Sequence, residues 1–255
     1  MHTVSEAAIR RQLHTAVFGR ALRVEPMLAS TNTTAREWAL DGAAEGSVVV
    51  ADAQTAGRGT RSRAFFSPQG GVYMSIVLRP RTADGALITS CAAVAVARAI
   101  ERLCALTVEI KWVNDLYVGG KKVCGILTES GFAPDRSLDF VVLGIGVNVA
   151  PTAFPKELAA TATSLGNEGA AVDRAALIAA ILEEWERAYA EMDSGEFLCE
   201  SRARSCVLER RVTVTRGDER FEAVATAIDD RGHLLVQKDD GACVTLYSGE
   251  VSIKI

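Results

Sequence analysis

Residues 47–63 read SVVVADAQTAGRGTRSR, an apolar run followed at once by a loop rich in glycine and arginine. The valines at 48–50 predict a buried β-strand, whereas the residues after it hold too much glycine for a helix and too much charge for a core. Gly57 and Gly59 let the backbone lie close against a ligand. Three guanidinium groups that suit carboxylate or phosphate belong to Arg58, Arg61 and Arg63. The stretch predicts a strand that ends in an anion-binding loop, although a solvated basic turn is the commoner explanation of such a loop taken alone.

The apolar periodicity of residues 1–203 predicts helices and strands in alternation. Predicted strands cover 72–78, 106–111 and 139–147, with a Gly-Gly hairpin at 117–123. Predicted helices cover 33–40, 86–106 and 172–192. Asn32 is a good N-cap for the first of these helices. Segment 139–147 is almost wholly apolar, so we expect it at the centre of its sheet.

The pattern changes after about residue 205. Five short strands separated by turn residues are predicted at 211–214, 221–227, 233–237, 243–247 and 251–255. So many short strands in so few residues indicate a small β-barrel. We therefore predict a first domain over 1–203 and a second over 204–255.

Composition excludes several classes of protein. The net charge is −4, which argues against a nucleic-acid partner because phosphate binding needs a basic face. No apolar run is long enough to span a membrane, and the N-terminal residues do not resemble a signal peptide. With only three histidines and no C-x-x-C pair, a metal cluster is not expected. Cysteines in apolar settings are typical of a reducing cytosol, so we expect a cytoplasmic protein.

Six spaced motifs in one order resemble those of the biotin protein ligases. They are Ser30-Thr31-Asn32, the loop Gly57-Arg58-Gly59-Thr60-Arg61-Ser62-Arg63, residues 67–75 (SPQGGVYMS), 111–116 (KWVNDL), 121–129 (KKVCGILTE) and 144–149 (GIGVNV). Together they extend over about 120 residues. About 20 residues precede the first predicted strand, fewer than a helix-turn-helix module needs, so the resemblance is to the short form without a DNA-binding domain.

This resemblance implies a fold and an activity. The fold is α+β, with a mixed central β-sheet flanked by helices, as in class II aminoacyl-tRNA synthetases, and a small C-terminal SH3-like β-barrel. The activity is ATP-dependent formation of biotinyl-5′-adenylate, followed by transfer of biotin to a lysine of a biotin carboxyl carrier protein. Biotin and ATP are the implied substrates, Mg²⁺ accompanies ATP, and a homodimer is left open.

Carboxylate activation by ATP requires cations that compensate crowded negative charge. Lys111, a compact charge at a predicted strand end, suits a bridge between the biotin carboxylate and the α-phosphate. Arg58 can bind two oxygens at once with its planar fork. Lys111 and Arg58 are therefore the predicted catalytic residues. Asp115 is a candidate helper for Mg²⁺, which phosphates and water would hold in the main.

The ureido ring of biotin is neutral but polar, so its burial requires hydrogen-bonding partners. The hydroxyls of Ser30 and Thr31 and the amide of Gln54 can supply them. Gly125, in an otherwise apolar strand, indicates either close approach of the backbone to a ligand or a β-bulge. The complete predicted biotin site is Ser30, Thr31, Asn32, Gln54, Arg58, Gly59, Thr60, Lys111 and Gly125.

Binding of the adenylate requires a side chain that forms hydrogen bonds with the edge of the adenine base and an aromatic ring that stacks on the base. Asn148 can read the adenine edge with its amide, and either Phe65 or Trp112 can stack on the purine. The alternative for each aromatic residue is a place in the core. The complete predicted ATP and adenylate site is Arg58, Arg61, Arg63, Phe65, Trp112, Asn114 and Asn148.

Three features depart from the family pattern, and two other functions stay open. Thr60 stands where the loop usually has a second arginine, Val113 replaces a proline, and Ser62 and Phe65 replace glycine and tryptophan. The loss of charge at Thr60 predicts weaker retention of the adenylate, and the alternative is that Arg61 or Arg63 already supplies this charge. The alternatives are a lipoate or octanoate transferase of the same fold and a non-catalytic biotin sensor. The cationic loop argues against the first, and Lys111 with Asn148 argues against the second.

Overall fold

The computed structural model describes residues 3–60, 63–80, 85–216, 218–247 and 250–253. The helices are α1 (Glu6–Arg10), α2 (Thr31–Leu40), α3 (Gly85–Cys104), α4 (Lys156–Ala159), α5 (Arg174–Ala190) and α6 (Phe197–Ala203). The strands of the first sheet are β1 (Leu22–Glu25), β2 (Val48–Ala51), β3 (Val72–Leu78), β4 (Glu109–Lys111), β5 (Asp115–Val118), β6 (Lys121–Phe132) and β7 (Leu138–Val147). Those of the second are β8 (Arg211–Arg216), β9 (Glu219–Ile228), β10 (Leu234–Gln237), β11 (Cys243–Leu246) and β12 (Glu250–Ile253).

The first sheet has seven strands in the order β1-β2-β3-β7-β6-β5-β4. Only β1 and β2 pair in parallel, and the other neighbours are antiparallel, so the sheet is mixed, as expected. β7 lies at the centre between β3 and β6, which confirms the prediction from its apolar sequence. All seven residues of β3 are buried, so this strand is covered on both faces.

Helices cover both faces of this sheet. The alanine-rich α3 and α5 pack against each other and share the main apolar core with residues of β3, β6 and β7. On the opposite face α2 packs Ala35 and Ala39 against Val49, Val77 and Val142. The side chain of Asp173 caps α5 by accepting a hydrogen bond from the amide of Ala176.

The start of α2 differs from the prediction. The helix begins at Thr31 with Ser30 as its N-cap, and no side chain makes a capping hydrogen bond there. Asn32, expected to be the cap, is inside the helix, and its amide bonds to Glu129 on β6 instead. The predicted cap is therefore wrong, because a tertiary contact takes the side chain that a local rule assigned to the helix end.

The second sheet is wholly antiparallel, in the order β11-β10-β9-β8-β12. All five predicted strands are present, within a few residues of the expected bounds. Alternate side chains on these strands form a separate apolar cluster that includes Val212, Val214, Ala223, Leu234 and Val251. The chain reaches this sheet directly after α6, near the predicted domain boundary. None of the helices that the structure describes is both long and apolar enough to cross a membrane.

Candidate active site

A cavity of about 370 Å³ lies where the N-terminus of α2, the loop after β2 and the β4–β5 junction meet the sheet. Its walls include Ser30, Thr31, Asn32, Gln54, Arg58, Gly59, Thr60, Arg63, Phe65, Lys111, Trp112, Asn114, Gly125 and Asn148. The fold thus brings together residues that are more than 100 positions apart in sequence. Arg61, also predicted to bind the adenylate, lies outside the described residues.

One end of the cavity is a chain of polar side chains with little contact with solvent. Gln54 Oε1 accepts hydrogen bonds from the amide and hydroxyl of Thr31, at 2.8 and 3.2 Å. Gln54 Nε2 donates to Ser67 Oγ at 3.0 Å. The Ser75 hydroxyl lies 2.8 Å from Thr31 Oγ1 and 2.6 Å from Asn32 Oδ1. These contacts hold the side chains in one arrangement and give this end a fixed pattern of donors and acceptors.

Ser67 and Ser75 support this network but were not among the predicted site residues. Both are buried, Ser75 completely. Each belongs to the segment 67–75 that contributed to the family resemblance, so their presence in that motif was the available signal. Neither lines the cavity, and local sequence gives no indication that β3 would place Ser75 behind Thr31.

Glycines on β6 and β7 create space for side chains that lie flat on the sheet. A Cβ atom at Gly144 would lie 2.1 Å from Asn32 Oδ1, and one at Gly146 would lie 2.6 Å from Cε1 of Phe65. A Cβ at Gly125 would lie 3.0 Å from Cε2 of the same ring. The ring of Phe65 thus lies over Gly125 in this structure, and the approach of a ligand to that glycine stays a prediction.

The other end of the cavity is charged. Lys111 Nζ lies 3.4 Å from the Tyr117 hydroxyl, and its charge is 5.5 Å from the centre of that ring. Arg58 Nη2 forms an ion pair with Glu129 at 2.8 Å, although 42% of the Arg58 side chain is exposed. The same Glu129 oxygen accepts a hydrogen bond from Asn32, so Arg58 lies where the charged and the neutral ends meet. A pair so open to water contributes little to stability. The guanidinium can therefore exchange Glu129 for a ligand anion at small cost.

A second cation, Lys122, was not predicted as a site residue. Its Nζ lies 2.6 Å from Asp115 Oδ1 and 5.8 Å from the centre of the Phe65 ring. Both Lys122 and Asp115 line the cavity. The double-lysine motif at 121–122 was the sequence signal, but only the register of β6 shows which of the two lysines faces the site.

The glycine- and arginine-rich loop folds back on itself. The amide of Gly59 donates to the carbonyl of Arg63 at 2.7 Å, and the amide of Phe65 donates to the carbonyl of Gly57 at 2.9 Å. A Cβ at Gly57 would lie 2.5 Å from Ser67 Oγ and 2.6 Å from the Phe65 carbonyl oxygen. Only glycine fits that position, so the loop is shaped by sterics as well as by charge.

The two candidate stacking residues have different surroundings. Phe65 is half-buried over the glycines of the sheet. The Trp112 ring, only 4% exposed, belongs to the apolar cluster of the second sheet, and its Nε1 donates to the carbonyl of Gly232 at 2.9 Å. Trp112 is thus mainly a core residue, the alternative considered from the sequence. Both residues line the cavity, and the ring of Phe65 lies against the glycines of its wall.

Asn148 and Asn114 use their amides to hold the cavity wall. Asn148 is buried, and its Nδ2 donates to the carbonyl of Thr163 at 2.9 Å, which fixes the direction of its amide oxygen. Asn114 Nδ2 donates to the carbonyl of Ile126, whose amide donates back to the carbonyl of Asn114. Burial raises the pKa of the Cys124 thiol, which favours its neutral form.

Two family models match the chain. Residues 24–148 match the biotin/lipoate A/B protein ligase family, and residues 207–254 match the biotin protein ligase C-terminal domain. The first match includes every motif that forms the cavity from α2 to β7. The second corresponds to the five-stranded sheet.

Similar proteins extend the match to nearly the whole chain. A bifunctional ligase/repressor BirA of Bacillus subtilis is 40% identical over 98% of this chain and 79% of its own length. A biotin–[acetyl-CoA-carboxylase] ligase of Mycobacterium tuberculosis is 33% identical over 97% of this chain and 95% of its own.

Solved structures agree with the sequence relatives. A biotin protein ligase from Aquifex aeolicus in complex with biotin and ATP superposes with a TM-score of 0.81 at 26% identity, over 92% of this chain and 99% of that one. A Leishmania major biotin protein ligase in complex with biotinyl-5-AMP gives 0.64 at 25% identity, over 89% and 98%. Because relatives above 30% identity match from end to end and the motifs meet in one cavity, this chain belongs to the biotin protein ligase family.

Proposed function

We propose that this protein activates biotin with ATP to biotinyl-5′-adenylate and transfers the biotinyl group to a lysine of a biotin carboxyl carrier protein. The observation that carries the proposal is the combination of two kinds of surface in one cavity. One is a fixed, neutral hydrogen-bonding wall, and the other is a set of cations that adjoins this wall at Glu129, to which both Asn32 and Arg58 bond. A substrate with a neutral polar ring at one end and a carboxylate at the other matches this combination.

The first step forms a mixed anhydride. A carboxylate oxygen of biotin attacks the α-phosphorus of ATP, and the bond from that phosphorus to the leaving pyrophosphate breaks. Lys111 neutralises charge between the carboxylate and the α-phosphate, and Arg58 leaves Glu129 to bind the same group of oxygens. In the second step the amine of the carrier lysine attacks the acyl carbon, loses a proton, and AMP leaves.

Each end of the ligand has its proposed partners. Ser30, Thr31 and Gln54 meet the ureido ring, and Phe65 with Asn148 meets the adenine base. Arg63 lines the cavity beside Arg58 and adds positive charge for the phosphates. Arg61 belongs to the same proposed set on sequence grounds. The hydrogen bonds that orient Gln54 and Asn148 support these roles, because a pre-oriented amide loses less entropy on binding.

Mg²⁺ fits this site as a companion of the triphosphate. No group of three His, Cys, Asp or Glu residues that could hold a metal ion occurs among the residues described. Asp115 is the carboxylate in the cavity wall, and Lys122 already neutralises it. Phosphates and water would therefore supply most ligands, and the ion would add charge compensation at the leaving pyrophosphate.

One experiment separates this proposal from its two alternatives. The protein is incubated with ATP, a biotin carboxyl carrier domain and either biotin, lipoate or octanoate, and the mass of the carrier is measured. A gain of one biotinyl group that requires ATP is expected. A gain that occurs with ATP and lipoate or octanoate, but not with ATP and biotin, would indicate the alternative lipoate or octanoate activity. Biotin binding with no gain would indicate a sensor.

We also propose a cytoplasmic location and no nucleic-acid partner. All six cysteines are free thiols, and several are buried, which suits a reducing compartment. The net charge of −4 gives no general attraction to phosphate backbones. Gel-shift assays and sedimentation with and without biotin would test the absence of nucleic-acid binding and the choice between monomer and homodimer.

A further inference from the structure

Trp112 lines the cavity beside Lys111, yet its ring packs in the apolar cluster of the second sheet. Its neighbours Lys111 and Asn114 line the cavity. The indole itself packs in the apolar cluster of the second sheet with residues such as Val207 and Val212. Its N–H donates a buried hydrogen bond to the Gly232 carbonyl at 2.9 Å. The residue that follows the proposed catalytic lysine is thus held by the C-terminal domain.

The acceptor of this hydrogen bond is itself held in place. Gly232 lies in the β9–β10 turn, where the Asp229 carboxylate accepts from the amides of Arg231 and His233 at 2.9 and 2.8 Å. Asp229 Oδ2 also lies 3.0 Å from His233 Nδ1. Gly232 has φ of +78°, and a Cβ there would lie 3.1 Å from Ser90 Oγ on α3. The turn therefore presents its carbonyl to Trp112 from a fixed position.

Two backbone hydrogen bonds hold Ile110, the residue before Lys111. The amide of Ile110 on β4 donates to the carbonyl of Arg204 at 2.8 Å, and the amide of Cys206 donates to the carbonyl of Ile110 at 3.0 Å. Arg204 is anchored in turn by ion pairs to Glu101 and Glu200, both 2.7 Å long. The hydrogen bond from Arg204 holds the pKa of Glu101 below its ordinary value. Lys111 thus has both sequence neighbours held by residues beyond Ala203.

We infer that Trp112 is a positioning residue through which the C-terminal domain places Lys111 at the reacting carboxylate and α-phosphate. The inference rests on the proposed adenylation chemistry. The hydrogen bonds described for Thr31 and Gln54 join them to each other and to Ser67, and none of these bonds involves Trp112 or Gly232. Loss of the indole hydrogen bond should therefore impair adenylate formation while binding of biotin alone is preserved.

Trp112→Phe tests this, because phenylalanine keeps an apolar ring but has no N–H group. Loss of one buried hydrogen bond should lower kcat for biotin-dependent pyrophosphate exchange about fivefold to tenfold. The dissociation constant for biotin without ATP should change less than about twofold. Trp185→Phe is the matched control: Trp185 is fully buried, and its Nε1 has no hydrogen-bond partner in the described part of the chain.

Equal losses of kcat in Trp112→Phe and Trp185→Phe would overturn the inference, as would weaker biotin binding that accounts for the whole defect of Trp112→Phe. Should Trp112→Phe fail to fold, Asp229→Asn decides, because it loosens the turn without touching the cavity. A lower kcat with unchanged biotin affinity supports the inference, and wild-type exchange overturns it. Absence of exchange in the wild type would instead refute the proposed function.

Discussion

The two ends of the cavity are built in different ways. At the neutral end Ser30, Thr31 and Asn32 are almost fully buried, and side chains around them are joined by hydrogen bonds of 2.6–3.2 Å. At the charged end Lys122 is partly exposed and pairs with Asp115, and Arg58, where the two ends meet, is partly exposed and pairs with Glu129. A neutral polar group can be buried only where its partners are already oriented, whereas long cationic side chains can exchange one anion for another.

Removal of the Lys111 side chain should give the largest difference between the effect on adenylate formation and the effect on biotin binding. Lys111→Ala is expected to lower the rate of adenylate formation roughly a hundredfold, because it removes charge compensation from the transition state. Biotin binding without ATP should be far less affected, since the neutral end is intact. Biotin-dependent pyrophosphate exchange and calorimetric titration with biotin measure the two effects.

Lys121→Ala is the control for this variant, because Lys121 is exposed and does not line the cavity. Its exchange rate should match that of the wild type. An exchange rate in Lys111→Ala close to that of the control would contradict the assignment of Lys111 to the reacting groups.

A substitution at Thr60 tests whether the loop already has enough positive charge to retain the adenylate. Thr60→Arg should slow dissociation of biotinyl-adenylate about tenfold to a hundredfold, because a charge-assisted hydrogen bond to the phosphate is restored. Adenylate synthesis should change little. Release of labelled adenylate in a filter assay, together with stray biotinylation of a bystander protein, measures the effect. Equal release rates would mean that another arginine of the loop already makes this contact.

Ser75 tests whether the neutral end depends on its supporting side chains. Ser75→Ala should weaken biotin binding about fivefold to tenfold, because Thr31 and Asn32 lose a buried partner. Ser47→Ala is a matched control: Ser47 is also buried beside the sheet, and its hydroxyl has no hydrogen-bond partner among the residues that the structure describes. Similar losses of affinity in both variants would show general loosening of the sheet instead of a specific network.

The smallest effect is expected at Glu129. Glu129→Gln should lower the KM for ATP by at most about threefold, because an exposed ion pair is weak and its loss frees Arg58 for phosphate. Initial rates at varied ATP concentration measure this. A tenfold or greater increase in KM would show that Glu129 positions Arg58 for the substrate and does not merely occupy it.

The sequence predicted local and strongly patterned features well. The apolar runs of β2 and β7 and the five short C-terminal strands are where expected, because burial on a strand imposes its own periodicity. The described residues chosen from motifs also meet in one cavity. Their roles toward ligands stay predictions.

What could not be predicted depends on contacts between distant segments. The cap assigned to Asn32 was wrong because the side chain bonds across the sheet to Glu129. Lys122 and Ser75 were not chosen because their direction is set by strand register, which a single sequence does not give. Trp112 was offered as a stacking residue with a place in the core as its alternative, and its ring packs in the apolar cluster of the second sheet, which is formed by residues distant in sequence.

The packing of Trp112 and β4 also bears on how the chain acquires activity during synthesis. Translation proceeds from the N-terminus, so every cavity motif up to Asn148 leaves the ribosome before the residues that cover the indole and the edge of β4. A chain interrupted near Ala203 would expose a tryptophan and an unpaired strand edge, both of which favour association with other chains. Such a fragment would contain all the motif residues of the cavity and still lack the contacts that position Lys111.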